Sequence, residues 1–357
     1  MATLADVIGA VEEWFDPRWA APWDAVGLTC GDPAVDVTRV LLAVDVTPQI
    51  IAEAEAAGAQ LLLTHHPLLL TSVHGVPATD PKGGMVHRLI RAGIAHYVVH
   101  TNADVAVPGV SDALAQRLGL IALRPLELAS DEAPQTLVAF LATDDTTPVV
   151  HALVAAGATR VWRTIGVGVT PEEPSEPVAE TRIELTLPPR ALPEIVATLG
   201  DAPFHVQPQV AVGGVRGTGR VGELPESMTL REFTEHAARV LPATASGMRA
   251  AGDLNRRVAT AAVCGGSGAA LIAAAHRAGA DAYLTADLKH HATQEAVTER
   301  GMALIDAGHW ATEAPWLDVV ATRLRQRFST TVNVTVSTTV TDPWTLHVPS
   351  PEASTPQ

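Results

Sequence analysis

The chain has 357 residues, 47% hydrophobic and 18% charged, with a formal net charge of −15. That length suits two or three compact domains, and the acidity works against binding to phosphate backbones or anionic membrane surfaces. Two cysteines, Cys30 and Cys264, argue against a disulfide framework, rule out a cysteine-rich zinc site, and read as small buried side chains. The N-terminal stretch lacks the basic-then-apolar pattern of a signal peptide. No apolar stretch reaches membrane-spanning length, since Leu61–Leu70 is interrupted by His65-His66-Pro67. The expectation is a soluble cytoplasmic protein.

Residues 1–125 alternate strand and helix signals. Val37–Val46 reads as a strand, Pro48–Ala57 as a helix, Gln60–Thr64 as a strand, Gly84–Ala92 as a helix, Ala95–Val99 as a strand and Gly109–Leu118 as a helix. Short strands separated by helices require crossovers, so this is an α/β layer with a mostly parallel sheet. Residues 125–135 read as a linker. In 135–212 the order is strand Thr136–Ala142, helix Pro148–Ala156, an indistinct strand, strand Glu180–Leu187, helix Arg190–Leu199 and strand His205–Val212. That is the order of a small ferredoxin-like α+β insert, with an acidic, Pro-rich loop over Gly166–Pro177.

Glycines 213, 214, 217 and 219 mark the return to an α/β pattern over 216–345. There Val258–Val263 is a strand, Ala269–Ala278 a helix, Ala282–Leu284 a strand, Gln294–Arg300 a helix, Ala303–Asp306 a strand and Trp316–Arg327 a long amphipathic helix; the last ten residues read as a frayed tail. The predicted units are therefore 1–127, 135–212 and 216–345.

The two outer segments echo each other. Ala57-Gly58-Ala59-Gln60-Leu61-Leu62-Leu63-Thr64-His65-His66 parallels Ala278-Gly279-Ala280-Asp281-Ala282-Tyr283-Leu284-Thr285-Ala286-Asp287. One helix later each half delivers a His-x3-carboxylate: His100 with Asp104, and His309 with Glu313. Two matches in the same order indicate two related α/β halves. Their polar groups fall at the carboxyl ends of strands, where open α/β sheets place ligand sites.

Each signal also has a plainer reading. His65-His66 suits two loop histidines as well as a ligand pair, since both can face one site only where the strand has ended; Pro67 holds His66 extended there. Asp104 reads as a turn residue or a ligand. His309 and Glu313 share a helix face, as a surface ion pair or a metal chelate. Together, three histidines and two carboxylates suit Zn, Mn, Fe, Co or Ni, and a bridging Glu313 could serve two ions roughly 3.5–4 Å apart. His100 reads as a group that orients a ligand or holds a proton. Lys289 and His291 read as anion-binding or proton-donating groups, or as solvated residues at a helix start. Asp287 reads as a helix cap or a similar site residue, Trp23 and Asp24 as a buried structural pair, and the glycines of Cys264–Gly268 as a weak anion cradle or a tight turn.

Six segments carry a family resemblance: Trp23-Asp24-Ala25-Val26-Gly27-Leu28, Leu63-Thr64-His65-His66-Pro67, His100-Thr101-Asn102-Ala103-Asp104, Val263-Cys264-Gly265-Gly266-Ser267-Gly268, Asp287-Leu288-Lys289-His290-His291 and Ile305-Asp306-Ala307-Gly308-His309-Trp310-Ala311-Thr312-Glu313. In this order, spanning nearly the whole chain, they resemble the motifs of the Nif-three-like family, often labelled GTP cyclohydrolase I type 2 homologues. The resemblance implies one Nif-three-like domain of two halves and two divalent ions per chain, held by His65, His66, Asp104, His309 and bridging Glu313. It also implies a toroidal homo-hexamer with sites facing an interior cavity, and the insert resembles a PII/CutA-like module. The expected function is metal-dependent hydrolysis of a nucleotide or related small molecule; the alternative is a non-enzymatic regulatory or chaperone-like metal-binding hexamer.

Overall fold

A computed structural model describes residues 2–129, 135–142, 145–168, 178–208 and 215–348. The chain forms two compact units, Met1–Glu127 with Thr218–Gln357, and Leu128–Gly217. Parts of the expected linker (130–134), the acidic loop (169–177), the end of the last insert strand (209–212), Gly213-Gly214 and most of the tail (349–357) lie outside the described residues.

The larger unit holds two principal sheets. In one the order is Asn333–Val336, Arg39–Ala43, Leu61–Thr64, Ala95–Val98 and Gly27–Cys30; the first four strands are parallel and the last is antiparallel. In the other the order is Arg249–Ala251, Ala303–Asp306, Ala282–Ala286, Arg257–Ser267, Gly217–Thr229 and Ile121–Leu128, with the second to fourth strands parallel. Leu61–Thr64 and Ala282–Ala286, the segments that echo in sequence, are both central and buried along their whole length. A strand covered on both faces has no use for polar alternation, hence Leu-Leu-Leu-Thr and Ala-Tyr-Leu-Thr-Ala. Each is followed in space by the parallel strand that precedes its His-x3-carboxylate.

Several elements depart from the sequence reading. Ile121–Leu128 is a strand where a linker was expected from 125; Pro125 disguises it, and proline is tolerated because this strand lies at the sheet edge. Leu4–Trp14 is a helix closed by a Thr3–Asp6 capping box, and Leu230–Val240 by a Thr229–Glu232 box.

The smaller unit runs strand Gln135–Leu141, helix Thr147–Ala155, strand Arg160–Gly168, strand Val178–Leu187, helix Leu192–Leu199 and strand Phe204–Pro208. Its antiparallel sheet has the order 204–208, 135–141, 178–187, 160–168. The indistinct strand of the sequence is Arg160–Gly168. It is an edge strand with Trp162 and Ile165 exposed, so its apolar residues do not mark one buried face. The core is Leu137, Leu153, Ile183, Leu185 and Ile195.

A buried ion pair ties the halves of the larger unit. Arg220, on Gly217–Thr229, donates from Nε to Asp112 Oδ1 and from one terminal nitrogen to Oδ2, both at 2.7 Å, and also reaches the Ala106 and Gly219 carbonyls at 2.8 Å. Asp112, near the start of helix Val110–Arg117, also accepts the Gly109 amide. Asp112→Ala would strip a buried guanidinium of its carboxylate and should lower the unfolding free energy by roughly 3–5 kcal/mol. Denaturant titration of the two proteins checks this.

Candidate metal centre

The Leu61–Thr64 strand ends at its parallel neighbour, and the next two amides, of His65 and His66, still bond the Ala43 and Val44 carbonyls. Beyond that point strict alternation is lost, and the two rings lie with centroids 5.1 Å apart. His65 is fully buried, and its Nδ1 lies 2.9 Å from the Val99 carbonyl. A carbonyl can only accept, so Nδ1 carries a proton and Nε2 is the nitrogen turned toward the cluster. His66 Nδ1 bonds Asp45 Oδ1 at 2.7 Å, which turns its Nε2 the same way.

The second half contributes the short helix His309–Glu313, which starts directly after Gly308. His309 Nδ1 bonds Asp287 Oδ2 at 2.7 Å. The Glu313 carboxylate, 4% exposed, stands among three imidazoles: Oε1 is 3.5 Å from His65 Nε2 and 3.1 Å from His309 Nε2, and Oε2 is 3.1 Å from His66 Nε2. Asp104, on helix Thr101–Val105, reaches within 3.8 Å of His65 Nε2. The five residues singled out from the sequence are thus brought together.

His100 adjoins them. Its ring centroid is 5.1 Å from that of His65 and 5.5 Å from that of His66. Its Nδ1 bonds Asp24 Oδ1 at 2.8 Å. Asp24 has a fully buried side chain, whereas Trp23 is exposed, so the two are not the buried pair expected. Lys289 and His291 are exposed and make no hydrogen bond, ion pair or ring contact with the cluster among the described residues. Sequence reasoning missed Asp45 altogether, because nothing in Val44-Asp45-Val46 distinguishes it from a loop acid. It left the roles of Asp24 and Asp287 open.

Charge and burial compete here. Burial opposes ionisation of Glu313, yet His66 and His65 hold its carboxyl well below the usual carboxylate range. Burial likewise opposes charge on His66 and His309, but Glu313, aided by Asp45 and Asp287, raises them to about 10 and about 9. Burial pushes Asp104 up, against the pull of His65. Burial opposes the charge on Asp24 as well, but His100 and Thr101 keep it strongly ionised.

The glycine run Gly265-Gly266 belongs to the strand Arg257–Ser267 and passes beside this carboxylate. Gly266 has φ +63°, and a Cβ there would lie 2.3 Å from Glu313 Oε1. Its amide bonds Thr312 Oγ1 at 2.9 Å. The run serves close backbone approach to the site.

Two sets of ligand atoms lie within 4.8 Å of one another, His65/His66/His100 and His66/His309/Glu313, and either could hold a metal ion. A cavity of about 670 Å³ borders His66 and His309; Arg249, Asp306, Trp310, Thr341 and Trp344 are among its other walls.

A family model described as Duf34/NIF3 (NGG1p interacting factor 3) matches residues 2–343. A Mycobacterium tuberculosis protein called GTP cyclohydrolase 1 type 2 homolog is 41% identical over 370 aligned positions, covering 96% of this chain and 97% of its own. A Streptomyces coelicolor protein of the same name is 39% identical over 357 positions, covering 99% and 98%. The crystal structure of a Bacillus cereus protein related to NIF3 superposes with a TM-score of 0.71 at 30% identity, covering 97% of this chain and 99% of that one.

Two predictions come from this geometry. Gly266→Ala places a methyl group against Glu313 at a left-handed backbone position. It should lower the melting temperature and weaken zinc uptake, read by thermal melts with and without zinc. In the metal-free protein, His66 and His309 titrate above the unfolded value of about 6.5. Their contribution to stability is complete below that pH and is lost as pH rises through about 9 to about 10. Unfolding free energies measured in chelator should fall from pH 7 to 10, and Glu313→Gln should flatten that fall.

Proposed function

This chain belongs to the Duf34/NIF3 family, and we propose that it holds two divalent first-row metal ions at this cluster and acts as a metal-dependent hydrolase on a nucleotide or related small molecule. The observation that carries the reading is a buried orphan: His65 Nε2 has no hydrogen-bond partner among the described residues, and with His66 Nε2 and His309 Nε2 it surrounds the Glu313 carboxylate. Leaving such a group unsatisfied costs about 1–3 kcal/mol. A metal cation where these imidazole nitrogens meet the carboxylate would take lone pairs from all of them. The donor set of imidazoles and carboxylates suits zinc, manganese, iron, cobalt or nickel.

His65 with Asp104, and His66 with His309, would hold one ion each, and Glu313 would serve both. Val99, Asp45 and Asp287 fix which nitrogen each histidine offers. When bound, such ions supply the Lewis acidity that makes water a nucleophile near neutral pH. His100, held through Nδ1 by Asp24, takes up and releases a proton at Nε2. The 670 Å³ cavity has the size of a small-molecule site, and the names of the relatives point to GTP-type substrates. The homo-hexamer implied by the resemblance belongs to the same proposal. No helix among the described residues is long and apolar enough to cross a membrane.

Elemental analysis of protein purified without chelator should find about two metal equivalents per chain; none would overturn the site. Glu313→Gln should abolish hydrolysis of a confirmed nucleotide substrate while the oligomer mass by light scattering is unchanged. If metal-loaded protein hydrolyses nothing in a broad nucleotide and phosphoester panel, the non-enzymatic metal-binding reading replaces the hydrolase.

A further inference from the structure

The C-terminal segment beyond the Asn333–Val336 strand is fastened to the first half by a row of hydroxyls. Ser337 Oγ and Thr339 Oγ1 donate to Glu53 Oε2 at 2.7 and 3.0 Å, and Thr341 Oγ1 donates to Asp45 Oδ2. The first two contacts anchor the segment on helix Pro48–Ala57. The third differs, because the other oxygen of Asp45 holds His66 Nδ1. A carboxylate gripped only through Oδ1 can swing about its Cβ–Cγ bond and take the imidazole with it. Gripped at both oxygens, it cannot.

The same arrangement occurs elsewhere in the cluster. Asp24 takes His100 Nδ1 on Oδ1 and the Thr101 hydroxyl and amide on Oδ2. A threonine hydroxyl, a carboxylate and a histidine are thus strung in the same order twice, once with the threonine and histidine adjacent in sequence and once with them 275 positions apart. That interval follows from Thr341 and His66. Asp287, which holds His309, has a side chain 53% exposed and no threonine hydroxyl among its described partners. Thr341 lies on the wall of the cavity that borders His66 and His309, together with Asp342, Pro343 and Trp344.

We infer that Thr341 is a positioning residue of the metal centre, locking the Asp45 carboxylate and through it the His66 imidazole, so that the C-terminal segment is part of the site. This rests on the metal-binding reading above. The residue acts two bonds removed from a ligand, so its loss should cost about tenfold in metal affinity, the low end for groups that orient a ligand.

The test is zinc affinity of the full chain by chelator competition, with the cobalt-substituted absorption spectrum as a second readout. Thr341→Val keeps the shape and removes the hydroxyl; it should weaken zinc binding about tenfold and shift the cobalt bands. Thr341→Ser should restore both to within about twofold, since it returns the hydroxyl. Thr339→Val removes from the same segment a hydroxyl whose one hydrogen-bond partner among the described residues is Glu53, and should leave zinc affinity and spectrum unchanged. Wild-type affinity and spectrum in Thr341→Val would overturn the inference. So would equal losses in Thr339→Val and Thr341→Val, which would mean that anchoring of the segment alone matters. If the wild-type chain itself binds no zinc or cobalt, the metal-binding reading fails first and the inference with it.

Discussion

A carboxylate buried to 3% residue exposure is the constraint on which the larger unit depends. Glu313 comes from the second half and its imidazole neighbours His65 and His66 from the first. An ionised carboxylate at that depth is tolerable only with positive or lone-pair-sharing partners at contact distance. The two halves must therefore meet where their strands end. The buried Arg220–Asp112 pair repeats that demand at a second place. Close approach also dictates small residues: the backbone of Gly266 lies where any side chain would strike Glu313. The helix that follows Glu313 carries Trp316, packed edge-on to Phe15 and against the His65 ring. Site and core thus sit on consecutive helices, and disturbance of either is felt by the other.

Around that carboxylate, acids do two different jobs. Glu313 and Asp104 face the histidine Nε2 atoms, while Asp24, Asp45 and Asp287 grip the Nδ1 atoms behind them. The outer acids fix ring direction, and so which nitrogen each histidine turns toward the cluster. The net charge of −15 says nothing of this division, which depends on which face of each ring an acid meets.

Much of the fold was legible because burial leaves a local trace. Pro48–Ala57 and Ala303–Asp306 appear in the structure with the bounds the sequence suggests. The Leu-Thr echo marks the two central strands because both are covered on both faces. Edge strands leave a weaker trace: Phe204–Pro208 is legible, but Ile121–Leu128 reads as linker from 125 and Arg160–Gly168 is indistinct. Of the cluster, the residues at strand ends stood out by their company: paired histidines after three leucines, and His-x3-carboxylate repeated. Asp45 and Thr341 did not. Their significance lies in contacts across 21 and 296 positions, and an isolated Asp or Thr in a loop has no local signature. Lys289 and His291 stood out for the opposite reason: a polar cluster at a helix start looks chemical, yet the helix His290–Arg300 turns them into solvent.

His96 shows why burial alone does not make such a site. It sits on the strand Ala95–Val98, fully buried, with Thr64 Oγ1 2.9 Å from its Nε2 and no carboxylate paired with it among the described residues. Burial pushes it down to about 4, so it stays neutral. His66 and His309 experience burial too, but Glu313 reverses its effect. The difference lies in where the second half delivers one acidic side chain. In the metal-free protein the protonated imidazoles serve as counterions to that side chain. A metal ion held at the same place would displace protons and supply the same balance of charge. Glu313 is therefore compensated by the histidines around it, which is what a lone buried acid at that depth requires.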